Sequence, residues 1–130
     1  MQASGHCQCG AVSFTVSEEP VRMAQCHCED CRRTTGTGHN AQAFFNRSAV
    51  TISGETKSYQ NFADSGSRRT RHFCPVCGSR LFSENAKAPD MLGISVGAFD
   101  TSDWFRPAMT VWFSKKPAWF PVDPSVPTKD

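Results

Sequence analysis

The 130-residue chain has no uninterrupted apolar run near the roughly 18–20 residues a membrane helix requires, which excludes a helical transmembrane span. It lacks a charge excess of either sign. Its 14 Lys and Arg face 12 Asp and Glu, and the formal charge of +2 is too small to argue for a dedicated nucleic-acid binder. Hydrophobic residues at 38% and charged residues at 20% exclude an intrinsically disordered chain. Tyr occurs once. No amphipathic pattern of about 11 or more residues supports a long helix. The opening, Met1 to Cys7, has neither the basic stretch nor the apolar core of a signal peptide, and the chain reads as cytoplasmic, where thiols stay reduced. No linker or repeat divides it, and its length predicts one domain.

Against these absences stand 10 Phe, 3 Trp and, above all, 7 Cys. An odd number cannot be consumed by intramolecular disulfides alone, so metal binding is the leading explanation. The cysteines form three groups: Cys7-Gln8-Cys9, Cys26-His27-Cys28-Glu29-Asp30-Cys31, and Cys74-Pro75-Val76-Cys77 followed by Gly78. Alternate residues of an extended strand share a face, so each C-x-C can aim two sulfurs at one ion. A C-x-x-C turn does the same, with Gly78 supplying backbone freedom. Structural zinc takes four thiolate or imidazole ligands in a tetrahedron, whereas catalytic zinc keeps one position open. The two pairs, Cys7, Cys9, Cys74 and Cys77, make a closed set of four. Cys26, Cys28 and Cys31 remain as a trio with a free vertex. Other partitions stay open: His27, His39 or His72 could complete the trio, and Cys74 and Cys77 could join two of its members. A redox role for Cys74 and Cys77 is disfavoured, because no helix pattern begins there to stabilise a thiolate.

The remaining pattern predicts an all-β domain of short strands. Val12, Phe14 and Val16 alternate with polar residues as in a half-buried strand. Further strands are expected at 23–26, 42–45, 50–53, 56–62, 69–74, 80–84, 92–99 and 109–113. Glu29 to Thr35 can make one or two helical turns, stopped by Gly36 and Gly38. Pro121, Pro124 and Pro127 predict an extended, non-repetitive tail at 121–130 after a domain at 1–120.

The chain resembles the family of glutathione-dependent formaldehyde-activating enzymes, which shares its domain with centromere protein V. The resemblance is carried by Gly5-His6-Cys7-Gln8-Cys9-Gly10, by Cys26-His27-Cys28-Glu29-Asp30-Cys31-Arg32 and by Phe73-Cys74-Pro75-Val76-Cys77-Gly78. Gly97-Ala98-Phe99-Asp100, Pro107 and Lys116-Pro117-Ala118-Trp119 extend it. It implies a mainly β, zinc-pinned, multi-sheet domain called a β-tent. It implies a structural zinc on Cys7, Cys9, Cys74 and Cys77 and a catalytic zinc on Cys26, Cys28 and Cys31. It also implies carbon–sulfur lyase chemistry on glutathione, or a similar small-molecule thiol, and its formaldehyde adduct, S-hydroxymethylglutathione.

An open three-thiolate zinc favours sulfur exchange over water activation, since three thiolates damp the acidity of the ion. Proton transfer then needs a partner, and His27, Glu29, Asp30, His39 and His72 are the candidates. Arg32 is the candidate contact for a glutathione carboxylate, since guanidinium forks pair with carboxylates bidentately. Arg33 and Arg71 add to the positive charge near the cysteines, and Arg68 and Arg69 read more simply as a solvated basic edge. Phe44, Phe45, Trp104, Trp112 and Trp119 are pocket candidates whose commoner fate is packing. The competing expectation is a non-catalytic zinc-stabilised binding module, and a third is a metal-storage or redox-sensing protein whose open thiolates oxidise.

Overall fold

The computed structural model describes residues 1–130. It is mainly β, as the sequence predicts, with eleven strands and one short α-helix. In chain order these are β1 (Ala3–His6), β2 (Ser13–Val16), β3 (Arg22–Cys26), α1 (Glu29–Thr35), β4 (Asn40–Asn46), β5 (Val50–Ser53) and β6 (Lys57–Phe62). There follow β7 (Arg68–Phe73), β8 (Arg80–Asn85), β9 (Met91–Ser95), β10 (Met109–Val111) and β11 (Thr128–Lys129). A three-stranded sheet runs β1-β2-β5, and an eight-stranded sheet runs β11-β10-β3-β4-β9-β8-β7-β6. Pairing is antiparallel except where β10 lies parallel to both β3 and β11.

Strand alternation explains how the large sheet serves two purposes. On β4, Ala43 and Phe45 are fully buried, whereas Gln42 and Phe44 are only half-buried. The buried set meets Phe14 and Val16 of β2, Phe82 of β8, and Leu92 and Ile94 of β9 in one apolar cluster. Phe14 stands edge-on to Phe82 and to Phe99, with ring centroids 5.6 Å and 5.0 Å away. These aromatic contacts fix the small sheet against the large one. The opposite face carries Arg22 opposite Phe44 and Cys26 opposite Asn40, and it bears the cleft described below.

Three departures from the sequence reading have physical causes. The segment 92–99 is not one strand: β9 stops at Ser95 and a 3₁₀ turn at Val96–Ala98 swings Phe99 across to bridge Gly5. The strand expected at 109–113 ends at Val111, because Trp112 adopts a left-handed backbone at φ 53° and a 3₁₀ turn follows. The proline-spaced tail is not wholly irregular: Thr128 and Lys129 form β11.

Strand β1 has almost no apolar signature, and it forms because Gly5 permits close approach. A Cβ at Gly5 would lie 2.2 Å from the Ala98 carbonyl oxygen and 2.5 Å from the Phe14 ring. Neither neighbour can retreat without opening the core. Gly5→Ala is therefore expected to destabilise the domain by about 2–3 kcal/mol, measured as a lowered urea midpoint. An unchanged midpoint would mean that the strand does not lie against Phe99.

Candidate metal centre and its cleft

Cys7 and Cys9 sit in the turn that leaves β1, and Cys74 and Cys77 in the turn between β7 and β8. Each turn finishes on a left-handed glycine, Gly10 at φ 82° and Gly78 at φ 79°. The Gly78 amide donates to the Cys74 carbonyl at 2.9 Å, and the Gly10 amide to the Cys7 carbonyl at 3.1 Å. Cys7 and Cys9 thus converge through a tight turn and not through strand alternation. All four sulfurs lie within 4.8 Å of one another. Cys9 Sγ is 3.7 Å from both Cys7 Sγ and Cys74 Sγ. A tetrahedron with zinc–sulfur bonds of about 2.3 Å has an edge of about 3.8 Å, so the donor set fits that ion. Amides of Val12, Val76 and Cys77 point at the sulfurs of Cys7 and Cys74 from 3.3 to 3.5 Å. The Ser79 hydroxyl, 3.2 Å from Cys77 Sγ, draws that thiol down to about 5. These are the surroundings of thiolates held for a cation.

The second group forms at the exit of β3. Cys26 ends that strand, Cys28 is the N-cap of α1, and Cys31 lies within the helix. The Cys31 amide donates to Cys28 Sγ at 3.3 Å and the Cys28 amide to Cys26 Sγ at 3.5 Å. The three sulfurs lie within 4.8 Å of one another, and no His, Asp or Glu joins them. Hydrogen bonds from Cys26 and then Cys31 hold Cys28 down to about 2, while the Cys28 and Cys31 sulfurs push Cys26 up. Three sulfurs this close cannot all ionise unless a cation sits among them. A thiophilic ion such as zinc would suit this trio, whose three cysteines line the cleft.

None of the histidine candidates completes the set. His27 turns away from the sulfurs, as expected of a residue between two ligands. Its Nδ1 donates to the Gly38 carbonyl at 2.6 Å, and its ring packs beside Phe113 and Phe120. His39 lies against Phe120 with centroids 4.4 Å apart, and burial lowers its pKa. His72 is engaged by Glu84 and Thr56.

The trio opens into a cleft of about 340 Å³ on the face of the large sheet opposite the core. Gln42, Asn40 and Ser83 contribute to its lining, and Gln42 Nε2 donates to Ser83 Oγ at 2.7 Å. Phe44 and Trp112 line it too, whereas Phe45 and Trp104 pack in or against the core and Trp119 is exposed. Asp30, half-buried at the cleft, accepts from Asn61 Nδ2 at 3.1 Å, and Asn61 in turn accepts from Arg71 Nη1 at 2.6 Å. Arg69, Arg71 and Arg80 all reach the cleft. Arg80 donates to the Thr34 hydroxyl on α1, and burial lowers its pKa against the attraction of the trio sulfurs. Arg32 is elsewhere: it leans toward Glu29 at 4.0 Å and lines a shallow surface depression with Arg33 and Trp119. Sequence reasoning missed Arg80. Its only signal was its place at the start of the strand that leaves the second cysteine knuckle.

Residues 2–115, which include both sulfur groups, match the family described as glutathione-dependent formaldehyde-activating enzyme. The chain belongs to that family. A Halomonas elongata protein named "Putative glutathione-dependent formaldehyde-activating enzyme" is 33% identical over 130 aligned positions, covering 95% of this chain and 82% of its relative. A crystal structure of a Rhodobacter sphaeroides protein superposes with a TM-score of 0.59 over 75% of this chain and 87% of that one. At 23% identity it supports the shared fold alone. No helix in this family member is long and apolar enough to cross a membrane.

Proposed function

We propose that this family member is a zinc-dependent enzyme of carbon–sulfur lyase type, which makes and breaks the bond between the sulfur of glutathione, or a similar thiol, and an aldehyde carbon. The observation that carries this reading is the trio of Cys26, Cys28 and Cys31, which has no fourth ligand from the protein and faces a cleft able to admit a small thiol. With formaldehyde, the thiol sulfur bonds to the carbonyl carbon, the carbon–oxygen π bond opens, and the thiol proton ends on the new hydroxyl. No oxidant or reductant is required.

Cys26, Cys28 and Cys31 would hold a zinc, which would supply a position favouring an ionised substrate sulfur. The Cys28 and Cys31 amide hydrogen bonds keep the sulfurs of Cys26 and Cys28 oriented toward one point. Asp30 Oδ2 is occupied by Asn61, which leaves Oδ1 to receive the proton released by the thiol. Phe44 and Trp112 give the cleft an apolar part against which the carbon chain of a substrate can pack. The reduced thiols on which the site depends suit a cytoplasmic setting.

The test is direct. Formation and breakdown of S-hydroxymethylglutathione are followed by exchange NMR, with zinc-loaded protein and with none. Catalytic exchange above the uncatalysed rate is expected, and equality of the two rates refutes the assignment. Asp30→Asn is expected to lower kcat by about 10–100-fold with little change in KM. An unchanged kcat would remove Asp30 from proton transfer.

A further inference from the structure

Cations outnumber their nearby counterions in the cleft wall. Arg69 and Arg71 project from β7 and Arg80 from β8, on the same face of the sheet as Gln42 and Phe44. The Nε atoms of all three are buried and have no hydrogen-bond partner in the protein. Burying such a donor unpaired is unfavourable, the more so for a charged group. Three of them side by side need an explanation beyond packing.

Their charge is not balanced locally. Arg71 alone approaches a carboxylate, Asp30 Oδ2 at 4.0 Å. Glu29 is turned to Arg32 and Arg33. Asp64, Asp130, Arg22 and Lys129 also line the cleft, two charges of each sign. The trio with a divalent ion carries one net negative charge, enough to balance a single guanidinium. One positive charge in the wall is left over, on a residue that lines the same cleft as the trio.

We infer that Arg69 and Arg80, braced by Arg71, form a carboxylate-binding subsite that selects substrates carrying a carboxylate near the reacting sulfur. This rests on the reading that substrate sulfur meets the trio, and it deepens that reading by naming what else the substrate must carry. Guanidinium forks match carboxylate geometry bidentately, and each such pair in a cleft is strong enough to set specificity. Formaldehyde has nothing for these arginines to hold. The carboxylate comes either from the thiol or from an acidic aldehyde.

The test separates binding from chemistry. S-methylglutathione has the carboxylates but no thiol proton, so its binding to zinc-loaded protein is read without sulfur ionisation at the trio. By calorimetry it is expected to bind at least about 10-fold more tightly than its diester, and Arg69→Gln and Arg80→Gln are each expected to weaken it by about 10–100-fold. Glyoxylate, titrated in the same way, carries the carboxylate on the carbonyl partner. Whichever ligand shows arginine-dependent binding identifies the source. Melting curves and zinc content verify the fold. The Arg69 side chain makes no hydrogen bond to another element, and its backbone pairing in β7 survives substitution, so its variant stands even if Arg80→Gln, which loses the Thr34 contact, fails to fold. Equal binding of acid and diester, or binding untouched by Arg69→Gln, overturns the subsite. Arginine-dependent binding without turnover of glutathione and formaldehyde would instead overturn the proposed reaction and leave the subsite standing.

Discussion

Cys74→Ser will yield a chain without a cooperative folding transition. Cys74 is fully buried, and its sulfur is one of four that tie the turn after β1 to the turn before β8. Cys9 and Cys74 are 65 residues apart in sequence, and a cross-link closing such a loop removes about 4 kcal/mol of chain entropy from the unfolded state. Zinc bound at structural sites of small peptides contributes roughly 10–16 kcal/mol at neutral pH. The net stability of a whole domain is only about 5–15 kcal/mol. Removing a ligand also leaves the remaining sulfurs, Cys7 in the core among them, crowded together. Circular dichroism melting and metal content together measure the outcome. A variant that has lost this ion yet melts at the parental temperature would show that the apolar cluster around Phe14 suffices alone.

Cys28→Ser is expected to behave oppositely. Cys28 lies at the mouth of the cleft and outside the core cluster, so its loss leaves the Phe14–Phe82–Phe99 packing intact. The expected stability change is within about 1–2 kcal/mol. Metal content should fall from two ions to one. Turnover of the glutathione–formaldehyde adduct should drop by at least about 100-fold, equivalent to roughly 2.7 kcal/mol of barrier. Two ions retained with full turnover would mean that the trio is not the reacting centre. Global unfolding would mean that it is a second structural clamp.

Both predictions rest on a division of the sulfurs that was legible in the sequence, because cysteine spacing constrains where chelating side chains can go. The alternation of Val12, Phe14 and Val16 was equally plain, and all three are buried. The brief helix also appeared where expected, ending at a left-handed Gly36. What could not be read depends on partners distant in sequence. Strand β1 has no period of its own and depends on its pairing with β2 and on the close approach of Phe99 and Ala98. Arg80 looked like any charged residue after a turn until β7 and α1 closed around it. Arg32, adjacent to the last trio cysteine, seemed better placed, yet its helical position turns it toward Glu29 and away from the cleft.

Strand β4 spells two messages in alternate letters. Ala43 and Phe45 address the interior, while Asn40, Gln42 and Phe44 address the cleft. Evolution can therefore rewrite the second set, trading one acceptor or ring for another, with little penalty to the first. Such a scaffold is suited to diversification, in which descendants keep the clamp and the reactive sulfurs while the molecules they act upon drift apart.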